Sequence, residues 1–431
     1  MLFLCLIVIC LYLNEFTLAF TPTNTVWGHS AVFADSRIYI TGGIIPKNPI
    51  GFEGSTRSKE FYYLDVEKPF GVGTGDKLPW VDLNSEAQIL PEHAWSAFSN
   101  CGQDDTLILF PGEYNDPNLE DPTVYTYKLS LRQWNSFTTA NPPSLNYHSQ
   151  TQTVCDVRTG TMYIFGGIRP KPDTTNKFMN ILDTSTLVWQ NISIDFARFD
   201  HTGTLLPNGN IIYIGGSLPD GKGFAEMSEL LLYNTNNNTW TSMNAIGNPP
   251  TPRAYHSAVL TQDGRIIVYG GLTKEGGPAK DDLVILDTSQ ADYTWSKAYV
   301  STNSPLSRYY HTATLVGYYM IVAFGKNDIK LPLPTSNEVF ILDTHDKSNY
   351  KWITEFDPDL NIYKNLNKNL STQTKNLTIG IIVLSIVLAL IGASFLIYFY
   401  RKRRLSRPDM LVPSSQDLSP SQDVLSSQEA N

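Results

Sequence analysis

Six of the seven histidines fall on one beat: His29, His93, His148, His201, His256 and His311, spaced by 64, 55, 53, 55 and 55 residues. An imidazole can hold a metal or move a proton near neutral pH. Both tasks need convergent partners, and no spare pair of ligands accompanies the series. One histidine per repeat reads instead as a polar core residue that hydrogen-bonds to backbone, leaving His345 alone in a loop. Arg198, Arg253 and Arg308 each stand three residues before a histidine of the series. A guanidinium fork takes two oxygens at once, so three such arginines on one rim would suit carboxylates, sulfates or acidic peptides. They form the candidate ligand rim. The competing expectation is that each pairs with an acid of the neighbouring repeat. No nucleophile elbow, zinc helix or phosphate loop occurs, so no catalytic, cofactor-binding or metal residue and no cofactor is expected.

Cys5 and Cys10 lie in an apolar leader, which leaves Cys101 and Cys155. One remaining pair in an oxidising compartment suggests either a disulfide or two buried thiols. The leader, Leu2 to Leu13, is too short to cross a bilayer, and Thr17-Leu18-Ala19 offers small residues for cleavage after Ala19. Leu377 to Tyr400 carries no charge and is long enough to span. Arg401, Lys402, Arg403 and Arg404 follow it, and only Lys375 precedes it closely, which predicts a cytosolic C-terminus. Asn191, Asn237 and Asn369 open glycosylation sequons, and Asn376 opens a fourth beside the apolar span. The 401–431 tail is Ser-rich and without period, as disordered segments are, and Ser406 follows two arginines in the manner of a basophilic kinase site.

The elements that position these residues come from the same beat. Trp80, Trp134, Trp189, Trp240, Trp295 and Trp352 keep step with the histidines. Between them an apolar run ends in a glycine pair: Gly42-Gly43, Gly166-Gly167, Gly215-Gly216 and Gly270-Gly271, with Pro111-Gly112 and Gly325-Lys326 as departures. Each repeat reads as four strands. In the fifth these are Ser257 to Thr261, Arg265 to Tyr269, Asp282 to Leu286 and Thr294 to Ala298. The intervening turns are Gln262-Asp263-Gly264 and Asp287-Thr288-Ser289, and the second recurs as Leu-Asp-Thr in other repeats. Lone four-stranded sheets cannot bury both faces, whereas sheets stacked about an axis can. The glycine pair is expected where strands converge on that axis, and the tryptophan in the gap between sheets.

The glycine pairs, the Tyr127-to-Trp134 and Tyr233-to-Trp240 spacings and the lead-in Pro252-Arg253-Ala254-Tyr255-His256 resemble kelch repeats over about residues 25 to 356. The resemblance implies an all-β, six-bladed kelch-type β-propeller. Repeat one is stretched by a Gly-rich insertion between Leu64 and Trp80, and no strand donated from one end to close the ring is evident. Kelch propellers are also similar to the central domain of galactose oxidase, which implies a secretory-pathway carbohydrate oxidase as the alternative. That enzyme joins a tyrosine to a cysteine at copper. Cys101 and Cys155 sit in equivalent places in adjacent repeats, which suits a bridge between blades better.

The expected organisation is a signal peptide (1–19), the propeller (20–358), a juxtamembrane stalk (359–376), one transmembrane helix (377–400) and a disordered cytosolic tail (401–431). A formal charge of −9 argues against nucleic acid as a partner. A 12% aromatic and 17% charged composition fits an extracellular all-β protein. The expected role is a single-pass type I membrane glycoprotein, at the plasma membrane or an internal membrane of the secretory pathway, with the lipid bilayer around one helix. Its propeller binds a protein or glycan on the extracytoplasmic side, and its tail is open to a cytosolic adaptor or kinase.

Overall fold

The computed structural model describes residues 20–359 apart from 23–25, 48–53, 74–76, 102–104, 115–122, 144–150, 171–172 and 328–337. Beyond residue 359 it describes Ser394, Ile397, Arg401 and Lys402. The leader, Asn369, Asn376, Ser406, His148 and nearly all of the apolar 377–400 segment lie outside the described residues. Among the described residues no helix is long and apolar enough to cross a membrane.

Six sheets, each with four antiparallel strands in chain order, make the blades, and in blade five Ile246–Gly247 adds a short parallel strand outside Thr294–Lys297. Blade one holds Ser30–Ala34, Arg37–Thr41, Phe61–Asp65 and Trp80–Asp82, and blade two Ala97–Ser99, Thr106–Phe110, Thr123–Lys128 and Gln133–Thr138. Blade three holds Thr153–Asp156, Thr161–Phe165, Phe178–Asp183 and Val188–Ser193, and blade four Thr202–Leu205, Asn210–Ile214, Glu229–Asn234 and Thr239–Asn244. Blade five holds Ser257–Leu260, Arg265–Tyr269, Leu283–Asp287 and Thr294–Lys297, and blade six Thr312–Val316, Tyr319–Ala323, Val339–Asp343 and Lys351–Ile353. The first strand of every blade lies innermost, and each inner strand touches the inner strands on both sides, so the ring is closed. This is an all-β, six-bladed propeller.

Blade five shows why the repeat folds so. Ser289 N–H donates to Asp287 Oδ1 at 2.9 Å, which turns the chain, while Thr288 Oγ1 donates to Gly264 O at 2.7 Å and ties that turn to the neighbouring one. Thr184, Thr235 and Thr344 make the same bond to Gly160, Gly209 and Tyr318. The tryptophans pair across the outer two strands, Leu286 opposite Trp295 and Tyr233 opposite Trp240. Each ring then packs on the preceding blade: Trp240 meets Phe165, Trp189 meets Phe110, and the indole N–H of Trp295 donates to Met227 O at 2.8 Å.

The glycine pair works between blades and not at the axis. Gly271 N–H donates to Arg308 O of the next blade at 2.8 Å, and a Cβ on Gly270 would lie 2.1 Å from that same oxygen. Both glycines have positive φ, 67° and 105°. In blade six the equivalent pair is Phe324-Gly325, one residue earlier than Gly325-Lys326, since Gly325 N–H takes the matching bond to Val26 O.

The ring closes without a donated strand, because blades one and six each keep four strands of their own. Trp80 stacks on Phe324 across the seam, and Gly28 N–H donates to Tyr310 O at 3.2 Å. The insertion in repeat one supplies a strap: Phe70–Gly71 pairs with Glu355–Phe356 after the last blade, with the Phe70 and Phe356 rings 4.8 Å apart. Cys101 and Cys155 form a disulfide between blades two and three, with their Cα atoms 5.4 Å apart.

Candidate functional site

A cavity of about 550 Å³ runs along the axis, lined by the inner strands and the residues that lead into them. One lead-in residue per blade lines one end of it, which we call the mouth: Gly28, Trp95, Asp200, Tyr255 and Tyr310, with the equivalent of blade three outside the described residues. All five are left-handed, with φ of 66°, 48°, 58°, 58° and 60°. For Trp and Tyr this conformation is strained, and strain held by a rigid frame marks sites of function. The frame here is a chain of amide bonds around the axis. Trp95 N–H donates to Gly28 O at 2.7 Å, Gly28 to Tyr310 O at 3.2 Å, Tyr310 to Tyr255 O at 3.2 Å and Tyr255 to Asp200 O at 3.0 Å. The aromatic members touch: Tyr255 to Tyr310 at 4.2 Å, Tyr310 to Trp27 at 5.0 Å and Trp27 to Trp95 at 5.8 Å between ring centroids.

A second ring lies one residue deeper and corrects the reading of the histidines. Strand register places His29, Ser96, Thr151, His201, His256 and His311 in equivalent positions. His93 instead occupies the arginine position, and its carbonyl accepts the Gly43 N–H at 2.8 Å as Arg308 O accepts that of Gly271. Between the equivalent positions the intervals are 67 from His29 to Ser96 and 50 from Thr151 to His201, so the histidine spacings of 64 and 53 lay nearer to 55 and masked the shift. Three of the true members bond to side chains of the preceding blade, His256 to Thr202 Oγ1 at 3.1 Å, His311 to Ser257 Oγ at 2.8 Å and His29 to Thr312 Oγ1 at 2.8 Å, while His201 faces the Arg198 backbone as expected of the series. Burial lowers the basicity of His29, His201 and His256 to about 3 and takes His311 well below its ordinary value, so all four are neutral at physiological pH.

The arginines do not line the mouth. Arg198, Arg253 and Arg308 are 4%, 0% and 1% exposed, and each turns into its own blade. Arg253 donates from Nε to Thr251 O at 2.9 Å and from Nη1 to Gly270 O at 3.0 Å and Asp281 O at 2.9 Å, and it pairs with the Asp281 carboxylate. Arg308 donates to Phe324 O at 2.8 Å and lies over the Phe340 ring at 4.2 Å. Arg198 faces Glu229 at 4.0 Å. The acids belong to the same repeat as their arginines, not to the neighbour. A flexible cation three residues before an inner strand folds back on the loop that follows the second strand, because that loop presents free carbonyls.

Asn191 and Asn237 are exposed, on the outer strand of blade three and in the outer turn of blade four. A copper-radical centre needs a cysteine–tyrosine link and convergent histidines. Cys101 and Cys155 are joined to each other, and among the described residues no three His, Cys, Asp or Glu side chains converge. The mouth ring escaped the sequence reading because its members share a conformation and not a residue type. The usable signal was position: each stands immediately before the deeper ring.

A radial array of four-stranded blades about an axial cavity defines a six-bladed β-propeller. The chain belongs to the kelch-repeat family whose profile is described as the KLHDC2/KLHL20/DRC7 Kelch-repeats domain, matched over residues 28–259 and 200–359. It is 38% identical over 120 residues to serine/threonine-protein phosphatase BSL2 of Arabidopsis thaliana, covering 28% of this chain and 11% of that protein. It is 27% identical over 338 residues to acyl-CoA-binding domain-containing protein 5 of the same plant, covering 77% and 48%. Against multiple epidermal growth factor-like domains protein 8 of Mus musculus it is 28% identical over 241 residues, covering 53% and 8%. The chain thus spans at most about half the length of these relatives. The solved structure of YjhT superposes with a TM-score of 0.56 at 13% identity, covering 78% of this chain and 99% of that one, which shows the fold.

Proposed function

We propose that this chain is a membrane-anchored kelch propeller whose axial mouth binds a protein on the extracytoplasmic side. The mouth ring carries the reading: bulky aromatics held in strained backbone around an open cavity of about 550 Å³. Kelch propellers generally bind protein partners, and aromatic anchors beside a pocket are the usual energetic centre of such contacts. Anchoring and orientation rest on the sequence, on the uncharged 377–400 segment and the four basic residues after it. Asn191 and Asn237, both exposed, are proposed glycan acceptors; Asn369 in the stalk and Ser406 in the tail are proposed modification sites on sequence alone. A glycan could also stack on the mouth, and binding assays separate the two ligands.

The test uses the full chain displayed on cells and panned against displayed peptide and glycan libraries. A mouth ligand loses binding on Tyr310→Ala at equal surface display. Retained binding moves the site elsewhere. Protease added to the same intact cells removes the propeller and spares a tag after Asn431; digestion of that tag overturns the orientation.

A further inference from the structure

Asp200 is the sole Asp, Glu, Lys or Arg among the described residues that line the axial cavity. It is 6% exposed. Ser217 Oγ donates to its Oδ2 at 2.9 Å, and the Tyr255 phenol faces the same carboxyl. Oδ1 has no hydrogen-bond partner. Burial raises the pKa of this carboxyl well above its ordinary value, and with one oxygen unsatisfied it gains most from a partner that brings positive charge or a donor. Arg198, two residues before Asp200 in the chain, faces Glu229, and Lys326 lies over the Trp27 ring at 4.3 Å. The histidines of the deeper ring are held neutral and supply no countercharge.

The walls beside Asp200 fit the same visitor. Tyr255 stands next to it, Tyr310 lies 4.2 Å from Tyr255, and Trp95 lies 6.1 Å from Tyr310. An arc of aromatic faces ending on a carboxyl attracts a cation through the ring quadrupoles, and a cation seated there favours the ionised form of Asp200 that burial alone disfavours. A bidentate or point cation would also satisfy Oδ1, which no anion can do. The chain as a whole is acidic, with a formal charge of −9, which favours approach of a basic partner.

We propose that Asp200, walled by Tyr255, Tyr310 and Trp95, is a cation site that takes an arginine or lysine side chain presented by the protein partner. The proposal rests on the axial mouth being the binding face and names the chemistry of what enters it. It also reverses the polarity expected of an arginine rim.

The experiment uses the full chain in detergent micelles and four blocked pentapeptides identical except for a central Arg, Lys, citrulline or Glu. Binding is followed by calorimetry. The Arg or Lys peptide is expected to bind at least tenfold more tightly than citrulline, which keeps the shape and loses the charge. Asp200→Asn should weaken the basic peptide by tenfold to a hundredfold, the range of a charge-assisted bond, and leave citrulline unchanged. Should D200N fail to fold, the Arg-versus-citrulline comparison on the unaltered chain decides alone. Equal binding of Arg and citrulline, preference for Glu, or binding by none of the four overturns the cation site. A Glu peptide that binds and is lost on Tyr310→Ala would keep the axial mouth as the binding face while removing this proposal.

Discussion

Arg253 and Asp200 both occupy the lead-in to an inner strand, and both are buried. Arg253 is satisfied within its own blade by three carbonyls and one carboxylate. Its removal strands Asp281 and three acceptors, so Arg253→Ala should destabilise the propeller by roughly 3 kcal/mol in denaturant unfolding. Arg253→Lys should recover little, because an ammonium cannot fork between these acceptors. A loss within about 0.5 kcal/mol, as at an ordinary surface site, would return the residue to the ligand-binding role. Asp200 lines the cavity, and its buried Oδ1 has no hydrogen-bond partner. The arginines were legible from their spacing, but the direction of a long side chain is set by which carbonyls the fold leaves unpaired. That depends on the loop after the second strand, where the repeats differ most.

At the scale of elements, neighbouring inner strands are joined through histidine rings. His29, His256 and His311 each bond a hydroxyl of the preceding blade, and His201 sits in the equivalent place. Burial depresses these four imidazoles in the folded state, three of them to about 3, against an ordinary value near 6.5. The unfolded chain therefore binds more protons between about pH 6.5 and 3. Stability is full above pH 6.5 and falls as pH drops through that window, by up to about 1.4 kcal/mol per pH unit for each such group. Unfolding midpoints measured from pH 7.5 to 4.5 should decline steeply below 6.5, and a flat profile would deny the histidines this role. The disulfide staples another pair of inner strands, and closes a loop of sequence separation 54. Reduction should lower stability by about 4 kcal/mol on the loop-entropy account, read from denaturation with and without reductant. The strands themselves were legible: those expected in blade five match to within one residue at each end, since alternation, Asx turns and glycines all act locally. The ring membership of His93 was not, because one shared residue type at nearly the right interval hid a shift of three positions that register alone resolves.

At the scale of the molecule, closure sets how six similar blades become one ring. Without an exchanged strand, blades one and six are held by backbone bonds such as Gly28 N–H to Tyr310 O, by side chains and by the strap that the insertion of repeat one provides. Phe356 is 1% exposed, stacks on Phe70 at 4.8 Å and meets Tyr319 edge-on at 5.2 Å, so one ring joins the strap, the end of the last blade and blade six. Phe356→Ala should therefore cost about 3 to 5 kcal/mol, as for a buried aromatic in a core, although the residue lies outside every four-stranded blade. Phe70→Ala should cost less when made in the Phe356→Ala background than alone, with a coupling of about 0.5 to 1.5 kcal/mol for the ring pair. The same cycle at the mid-ring pair Phe110 and Trp189, 5.3 Å apart, supplies the comparison for a blade junction away from the seam. If closure is the weakest junction, seam substitutions speed unfolding more than the mid-ring pair does at equal equilibrium loss, because opening the seam comes first. Additive effects at Phe70 and Phe356, or unfolding rates indifferent to the seam, would place the closure in the inner-strand ring alone.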